Sequence, residues 1–375
     1  MVIYSDAGVH TELKKKVSEI FYKKSKETWD NRKGKIGEVF IPYDNFSGIR
    51  TVNVSMLPPG TLMGSGADGV GTKVEIAERV NNHKTIAYDL VSMVCDDEIV
   101  RGAEPVFLLS DFSVNYLHEG CLSAINELAE GYVNAAKEAN VAILNGEVAE
   151  LGKRVGGYGN FNYNWNAIVN WFVNKDKMFT GFEIREGDSI IGLKENGFRS
   201  NGLSLVRKIM EENYGYYWHF KDKDKNHDSE MKMAKEVLTP SKIYTKAFLD
   251  IYGGYKEDSK VKINGVVNIT EGGIPEKLSR VLKPSGLGAV IEDSFSPPDI
   301  MLHVQKIGNV SDKEAYKTWN MGQGLIIISP EPEKVIYFSE KNNTESKKIG
   351  YVVREPKIRI NSKGAFSSGT ELVFD

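Results

Sequence analysis

Ten residues, Gly64-Ser65-Gly66-Ala67-Asp68-Gly69-Val70-Gly71-Thr72-Lys73, carry four glycines, an aspartate, a threonine and a lysine directly after an apolar, β-rich run. Glycine tolerates φ > 0 and lets the backbone approach a ligand closely, so Gly66, Gly69 and Gly71 can aim N–H groups at anionic oxygens. Thr72 belongs to the same loop, Lys73 adds a point charge, and Asp68 offers a hard oxygen ligand for Mg²⁺. The chemistry this composition suits is the holding of a phosphate and its metal. The spacing is not that of a P-loop, and a plain tight turn is the competing account.

Three further groups of polar residues suggest related chemistry. Asp89 and Asp96 lie seven residues apart on a helical pattern and share a face, with Asp97 one position further round. Clustered carboxylates repel one another unless a cation or solvent relieves them, so this face can bind Mg²⁺ together with Asp68, or it can be a solvated helix end. Asn145-Gly146-Glu147-Val148-Ala149-Glu150 reads as a polar turn after a buried strand, where an open α/β sheet places its ligands. Arg199-Ser200-Asn201-Gly202 precedes a helix starting at Leu203. It serves either to cap that helix or, with the charge of Arg199, as a phosphate site. Thr270-Glu271-Gly272-Gly273 repeats the idea. The six histidines are scattered without metal-ligand spacing, and a G-x-S-x-G nucleophile elbow is absent.

These groups need a scaffold. A chain of 375 residues is long for one core, which predicts two domains. The charged, loose stretch from Asn174 to Gly187 sets the boundary near residue 178, giving domains 1–178 and 179–375. In the first, Glu12–Glu27 has helical period and Asn31–Gly48 is a polar segment that could form a lid. Thr51–Leu57 and the run from Thr61 read as a hairpin about Pro58-Pro59-Gly60. Lys84–Arg101 and Leu122–Asn140 read as helices, and Pro105–Leu109, Val141–Leu144 and Asn162–Val173 as strands. In the second, strands are expected at Ser189–Leu193, Val261–Ile269, Gly288–Ile291, Gly324–Ile328 and Gly350–Val353. Helices are expected at Leu203–Glu212 and Met231–Ile251, the latter broken at Pro240, and after Gly272-Gly273. Lys221–His227 reads as an exposed insertion. Alternating helices and short apolar strands indicate an α/β protein.

Composition narrows the partners. A formal net charge of −3 leaves no basic field for nucleic acid, and Lys14, Lys15 and Lys16 read as a solvated helix face. Cys95 and Cys121 form no metal or redox spacing and suit a reducing cytoplasm. No stretch reaches the length of an apolar membrane span and no signal-peptide core is evident, so a cytoplasmic protein with no membrane contact is expected.

Taken in order, the motifs form a pattern: Asp68-Gly-Val-Gly-Thr-Lys73, Gly102-Ala-Glu-Pro105, Asn145-Gly-Glu-Val-Ala-Glu150, Ser200-Asn-Gly-Leu-Ser-Leu-Val-Arg-Lys208, Leu238-Thr-Pro-Ser-Lys-Ile-Tyr244, Gly286-Leu-Gly288 and Tyr316-Lys-Thr-Trp-Asn-Met-Gly322. With Tyr4-Ser-Asp-Ala-Gly-Val9 at the start, the series resembles the aminoimidazole ribonucleotide (AIR) synthetase family, the phosphoribosylformylglycinamidine cyclo-ligases, from about residue 4 to residue 355. The resemblance implies two AIR synthetase-like domains with mixed sheets. The N-terminal domains of a homodimer would share a β-barrel, and nucleotide would bind in a groove against the C-terminal α/β domain. It implies ATP-dependent ring closure of formylglycinamidine ribonucleotide, a small-molecule substrate, with release of ADP and phosphate. By position, Asp68 and Asp97 fall on the metal-binding carboxylates, Lys73 on the lysine of the phosphate loop and Glu147 on the acid of the Gly-Glu motif. Asn320 falls in the motif near the domain interface, and Asp89 joins the nucleotide-side set.

The chain departs from the family pattern on the substrate side. Arg199 stands where the family usually has histidine before Ser200-Asn201-Gly202, and Asn268-Ile-Thr-Glu271-Gly-Gly replaces its His-(Ile/Leu)-Thr-Gly-Gly-Gly. The Leu-Asp-Tyr strand end reads Leu109-Ser-Asp-Phe112, followed by Val114-Asn115-Tyr116, and a glycine-rich lid is replaced by Gly34-Lys-Ile-Gly-Glu-Val. Arg199 is therefore expected to bind a substrate phosphate, with Ser200, Asn201, Gly202 and Asn268 beside it. Lys73, Asp97, Glu147 and Arg199 are the expected catalytic set. A paralogue that activates a different small substrate with ATP, and a non-catalytic nucleotide-binding subunit, are the rival readings.

Overall fold

Pro58-Pro59-Gly60 turns the chain into a strand that runs from Thr61 through Gly69, so most of the glycine-rich stretch is extended backbone and the turn is confined to residues 70–72. The computed structural model describes residues 10–41, 48, 50–221, 231–255 and 257–375. The Tyr4–Val9 motif and all but the first residue of the Lys221–His227 insertion lie outside them, as does part of the expected lid. Two compact units are present, one of residues up to 98 with 104–175, the other of 99–103 with 176–375.

In the first unit the elements are α1 (Thr11–Lys26), β1 (Val39–Phe40), β2 (Thr51–Val52), β3 (Thr61–Gly69), α2 (Lys73–Val80), α3 (Ile86–Ile99), β4 (Glu104–Val114), α4 (Leu122–Ala139), β5 (Ala142–Glu150) and β6 (Tyr163–Asn174). Among the described residues they form a four-stranded sheet ordered β3-β6-β4-β5 and a small β1-β2 ladder. β6 runs antiparallel to both β3 and β4, whereas β4 and β5 are parallel. Thr51–Leu57 is thus not half of a hairpin with β3. Only Thr51 and Val52 pair, with Phe40 and Val39, because β6, a long strand alternating buried and exposed residues, takes β3 instead. Asn145–Glu150 is likewise part of β5 and not a turn, since its backbone pairs with Leu109–Val114.

Apolar period explains the helices. In α4, Ile125, Leu128, Ala129, Tyr132, Val133 and Ala136 fall on one buried face, and Asn140 ends the helix in the left-handed region at φ 58°. Phe21, Phe112, Tyr132 and Trp165 meet edge-on or tilted beneath α1 and α4, with ring centroids 5.0–5.9 Å apart. α2 was not foreseen. Its polar residues Glu75, Glu78 and Arg79 mask the buried stripe of Val74, Ile76, Ala77 and Val80.

The second unit contains β7 (Ser189–Lys194), α5 (Leu203–Tyr214), α6 (Lys232–Val237), α7 (Thr245–Tyr252), β8 (Gly265–Asn268), α8 (Gly273–Leu282), β9 (Gly288–Ile291), α9 (Asp299–Ile307), α10 (Asp312–Thr318), β10 (Gln323–Ser329), α11 (Pro332–Lys341), β11 (Ser346–Val353), β12 (Ile358–Asn361) and β13 (Glu371–Phe374). Among the described residues the strands form one mixed sheet ordered β13-β12-β9-β11-β7-β10-β8, with only β9 and β12 parallel. Every residue of β10 is buried. Ile99 and Val100 join the core of this unit, packed with Phe248, Ile251, Leu325, Ile327 and Val335. Both sheets are therefore mixed and largely antiparallel, with one parallel pair in each, β4–β5 in the first and β9–β12 in the second.

Candidate functional site

The nucleotide-side residues expected from the sequence lie on β3, α2 and α3 of the first unit. Gly66 is in the middle of β3, and a Cβ there would sit 1.8 Å from Glu98 Oε1, so glycine is what lets α3 lie against this strand. Asp68 is exposed and its Oδ1 accepts the Gly69 N–H at 2.7 Å. Gly69 leaves room for the Asn166 side chain. Gly71 has φ +68° and open space around it, and Thr72 caps α2 without a side-chain hydrogen bond to the helix. An exposed carboxylate, a permissive glycine and an α2 N-terminus with no side-chain cap fit a phosphate with its cation.

Lys73 carries its charge inside the unit: its Nζ lies 2.7 Å from Asp89 Oδ1, and both side chains are 0% exposed. The ammonium sits in the first turn of α2 and turns inward, where the α3 carboxylate neutralises it. No group of three or more His, Cys, Asp or Glu side chains is arranged to hold an ion among the described residues. Asp89 is engaged with Lys73, Asp96 is fully buried, and Asp97 is half-buried near the end of α3.

Glu147 projects from β5 and pairs with Lys14 of α1 at 3.1 Å. Beside it a cavity of about 340 Å³ opens between α1 and the β4–β5 edge, lined by Tyr22, Arg50, Ser110, Tyr132 and Asn145 among others. Arg50 lies 4.4 Å over the Tyr22 ring and donates to the Asn145 side chain. Burial pushes the Tyr132 hydroxyl well above its ordinary pKa. Arg50, Tyr22 and Tyr132 were not legible as site residues, because no spacing links them and the α1–β5 contact brings them together.

The motifs expected on the substrate side converge inside the second unit. Gly202, at φ +72°, is the N-cap of α5, with no side-chain cap. A Cβ there would lie 2.6 Å from the Trp319 ring. Asn320 is buried and donates to the Gly197 carbonyl at 2.8 Å while accepting the Gly322 N–H at 2.9 Å, so it ties the two motifs together. The buried Ser200 Oγ has no hydrogen-bond partner among the described residues, an orphaned group of the kind a ligand satisfies. Asn268 is buried at the end of β8 opposite Leu325, and Asn201 is half-buried.

Arg199 differs from a surface clamp. It is fully buried with φ +59°, its Nη1 donates to the Gly324 carbonyl at 3.1 Å, and its guanidinium lies 5.4 Å over the Tyr244 ring. Glu195, which sequence reading passed over, is 1% exposed on the same turn. Gly273, at φ +60°, lets α8 approach α10, since a Cβ there would lie 1.9 Å from the Tyr316 carbonyl oxygen.

Both halves of the chain match models of the AIR synthase related proteins, the N-terminal domain over residues 52–165 and the C-terminal domain over residues 185–363. The phosphoribosylformylglycinamidine cyclo-ligase of Alkaliphilus metalliredigens is 31% identical over 364 residues, spanning 94% of this chain and 96% of the relative. Among solved structures, the thiamine-monophosphate kinase of Stenotrophomonas maltophilia superposes with a TM-score of 0.58 at 12% identity, covering 91% of this chain and 95% of that one. The hydrogenase maturation protein HypE, solved in complex with ATP, superposes at 0.55 with 14% identity and 87% coverage of each chain. Fold and glycine-lined strand end thus define the class of AIR synthase related proteins. Within that class, the chain belongs to the phosphoribosylformylglycinamidine cyclo-ligase family.

Proposed function

We propose that this protein closes the imidazole ring of aminoimidazole ribonucleotide from formylglycinamidine ribonucleotide, using ATP and releasing ADP and phosphate, in purine biosynthesis. The observation that carries the reading is the end-to-end match to a relative named for that activity. An amide oxygen is a poor leaving group. Phosphorylating it lets the neighbouring nitrogen attack the activated carbon, and the oxygen departs as phosphate. Such a reaction asks the protein for positioning and charge neutralisation more than for a nucleophile.

In this reading the ATP phosphates lie against Gly69, Gly71, Thr72 and the first turn of α2, with Asp68 and Asp97 holding Mg²⁺. Mg²⁺ commonly takes one or two carboxylates and completes its shell with phosphate and water, so a three-carboxylate cage is not required. Lys73 sets the start of α2 through Asp89, and Glu147 belongs to the catalytic set beside the α1–β5 cavity. Ser200, Asn201, Gly202 and Asn268 face the acceptor, with Arg199 beneath them. Among the described residues β3 is an edge strand with Leu62 and Met63 exposed, which supports a homodimer paired through this sheet. A cytoplasmic location accords with the pathway.

Steady-state ADP release with formylglycinamidine ribonucleotide present and absent tests the reaction. The expected result is turnover that depends on the acceptor. ATP hydrolysis indifferent to the acceptor would instead assign the site to a paralogue acting on another small substrate.

A further inference from the structure

A guanidinium cannot shed its proton at any working pH, so burying Arg199 requires a negative charge close by. Glu195 lies four residues earlier on the same turn. One of its carboxylate oxygens accepts the Asn196 N–H at 2.8 Å, and the other accepts the Lys242 N–H at 3.2 Å and faces the Tyr244 hydroxyl at 3.3 Å. Its own backbone N–H donates to the Gly322 carbonyl at 3.0 Å. The Tyr244 ring carries Arg199 on its face, and a Cβ at Gly324 would lie 2.1 Å from the Tyr244 hydroxyl, so glycine keeps that place open. Three of the motifs noted in the sequence therefore meet at Glu195: that of Tyr244 at its carboxylate, that of Gly322 at its backbone N–H, and that of Arg199 by way of the Tyr244 ring.

We propose that Glu195 is a positioning residue for the acceptor site: with the Lys194 carbonyl it holds the Tyr244 hydroxyl, and so the ring on which Arg199 rests, and its buried negative charge balances Arg199 and with it the Ser200–Gly202 turn at the start of α5. This rests on the assignment of that turn to the acceptor. It also gives a reason for the departure at Arg199, because the histidine usual in the family is neutral at pH 7 and needs no such partner.

The test is a double-mutant cycle on the full-length protein with Glu195→Gln, Arg199→His and their combination, with Glu195→Asp as the charge-retaining control. Steady-state ADP release gives the KM for formylglycinamidine ribonucleotide, the KM for ATP and kcat, and thermal midpoints are read on the parent and the same four variants. Glu195→Gln is expected to raise the acceptor KM about tenfold, with ATP KM and kcat within about twofold, and Glu195→Asp to recover part of the loss. In the Arg199→His background the same change is expected to cost less than about twofold, and the midpoints are expected to be non-additive in the same sense. Equal rises in both KM values, or additivity in KM and midpoint alike, would overturn the proposal. If the parent protein shows no acceptor-dependent ADP release, the reaction assignment fails, and the midpoint cycle alone then decides whether Glu195 and Arg199 are coupled. An unfolded Glu195→Gln variant leaves the decision to Glu195→Asp, whose retained charge must preserve the midpoint better than its shortened side chain alone allows.

Discussion

Asp68 and Lys73 lie five positions apart with opposite environments, one at the surface and one sealed against Asp89. Both residue types suggest phosphate chemistry in the sequence, but only the exposed one can reach a ligand directly. Asp68→Asn and Asp97→Asn are each expected to weaken Mg-ATP binding at least tenfold, on the order of 1.4 kcal/mol, with the thermal midpoint little changed. Calorimetry with Mg-ATP checks this, and parental affinity in both variants would remove them from the metal site. Charge and residue type were legible at these positions. The inward turn of Lys73 was not, because it depends on α3 presenting Asp89, sixteen residues further along the chain, to the start of α2.

At the scale of elements, the far end of α2 grips the loop that follows β5. Glu78 accepts the backbone N–H groups of Tyr158 at 2.8 Å and Tyr163 at 3.3 Å, and a Cβ at Gly157 would lie 2.2 Å from its Oε2. Arg79 lies 4.7 Å over the Tyr158 ring and bonds Glu75. Burial lifts the Glu78 carboxyl to about 7, against the hydrogen bonds that favour its ionised form. His83, whose Nδ1 is 3.0 Å from the Tyr163 hydroxyl, is driven by burial down to about 4, with Glu127 opposing. The two linkages have opposite sign. Stability from Glu78 is full below about 4.5 and is lost as pH rises through about 7, whereas that from His83 is full above about 6.5 and is lost as pH falls through about 4. Each is worth roughly 3 kcal/mol over its window, so they nearly cancel between pH 4.5 and 6.5. Glu78→Gln is expected to make the thermal midpoint rise with pH across this range, and His83→Gln to make it fall. Parallel pH curves for the parent and both variants would refute the linkage. None of this could be read from spacing. α1, α3, α4 and the strands at Gly288–Ile291 and Gly324–Ile328 were legible from their apolar period. α2, β12 and β13 were not, since short amphipathic or edge segments carry too few apolar residues to set a period.

At the scale of the whole molecule, β3 is an edge strand of the first unit among the described residues, with Leu62 and Met63 46% and 61% exposed. An edge with apolar side chains is one that a second copy about a two-fold axis could cover, as in the homodimer proposed above. Light scattering is expected to give about twice the chain mass of 41.9 kDa, and a monomer at micromolar concentration would exclude pairing through this strand. The two-unit organisation was legible from length and from the polar stretch after Asn174, but the assignment of residues 99–103 to the second unit was not, because α3 reads as one uninterrupted helix.

Ile99 and Val100 also constrain how the protein can be made. A ribosome releases them long before Phe248, Leu325 and Val335, the side chains that enclose them, have been synthesised. Until then the nascent chain carries two apolar residues at the end of α3 with no burial available, and closing that loop costs conformational entropy before any contact repays it. Gene fragments divided after residue 175 separate these residues from their core in the same way. Each half is then expected to carry an apolar gap or an apolar stub, which favours folding the two units from one continuous chain.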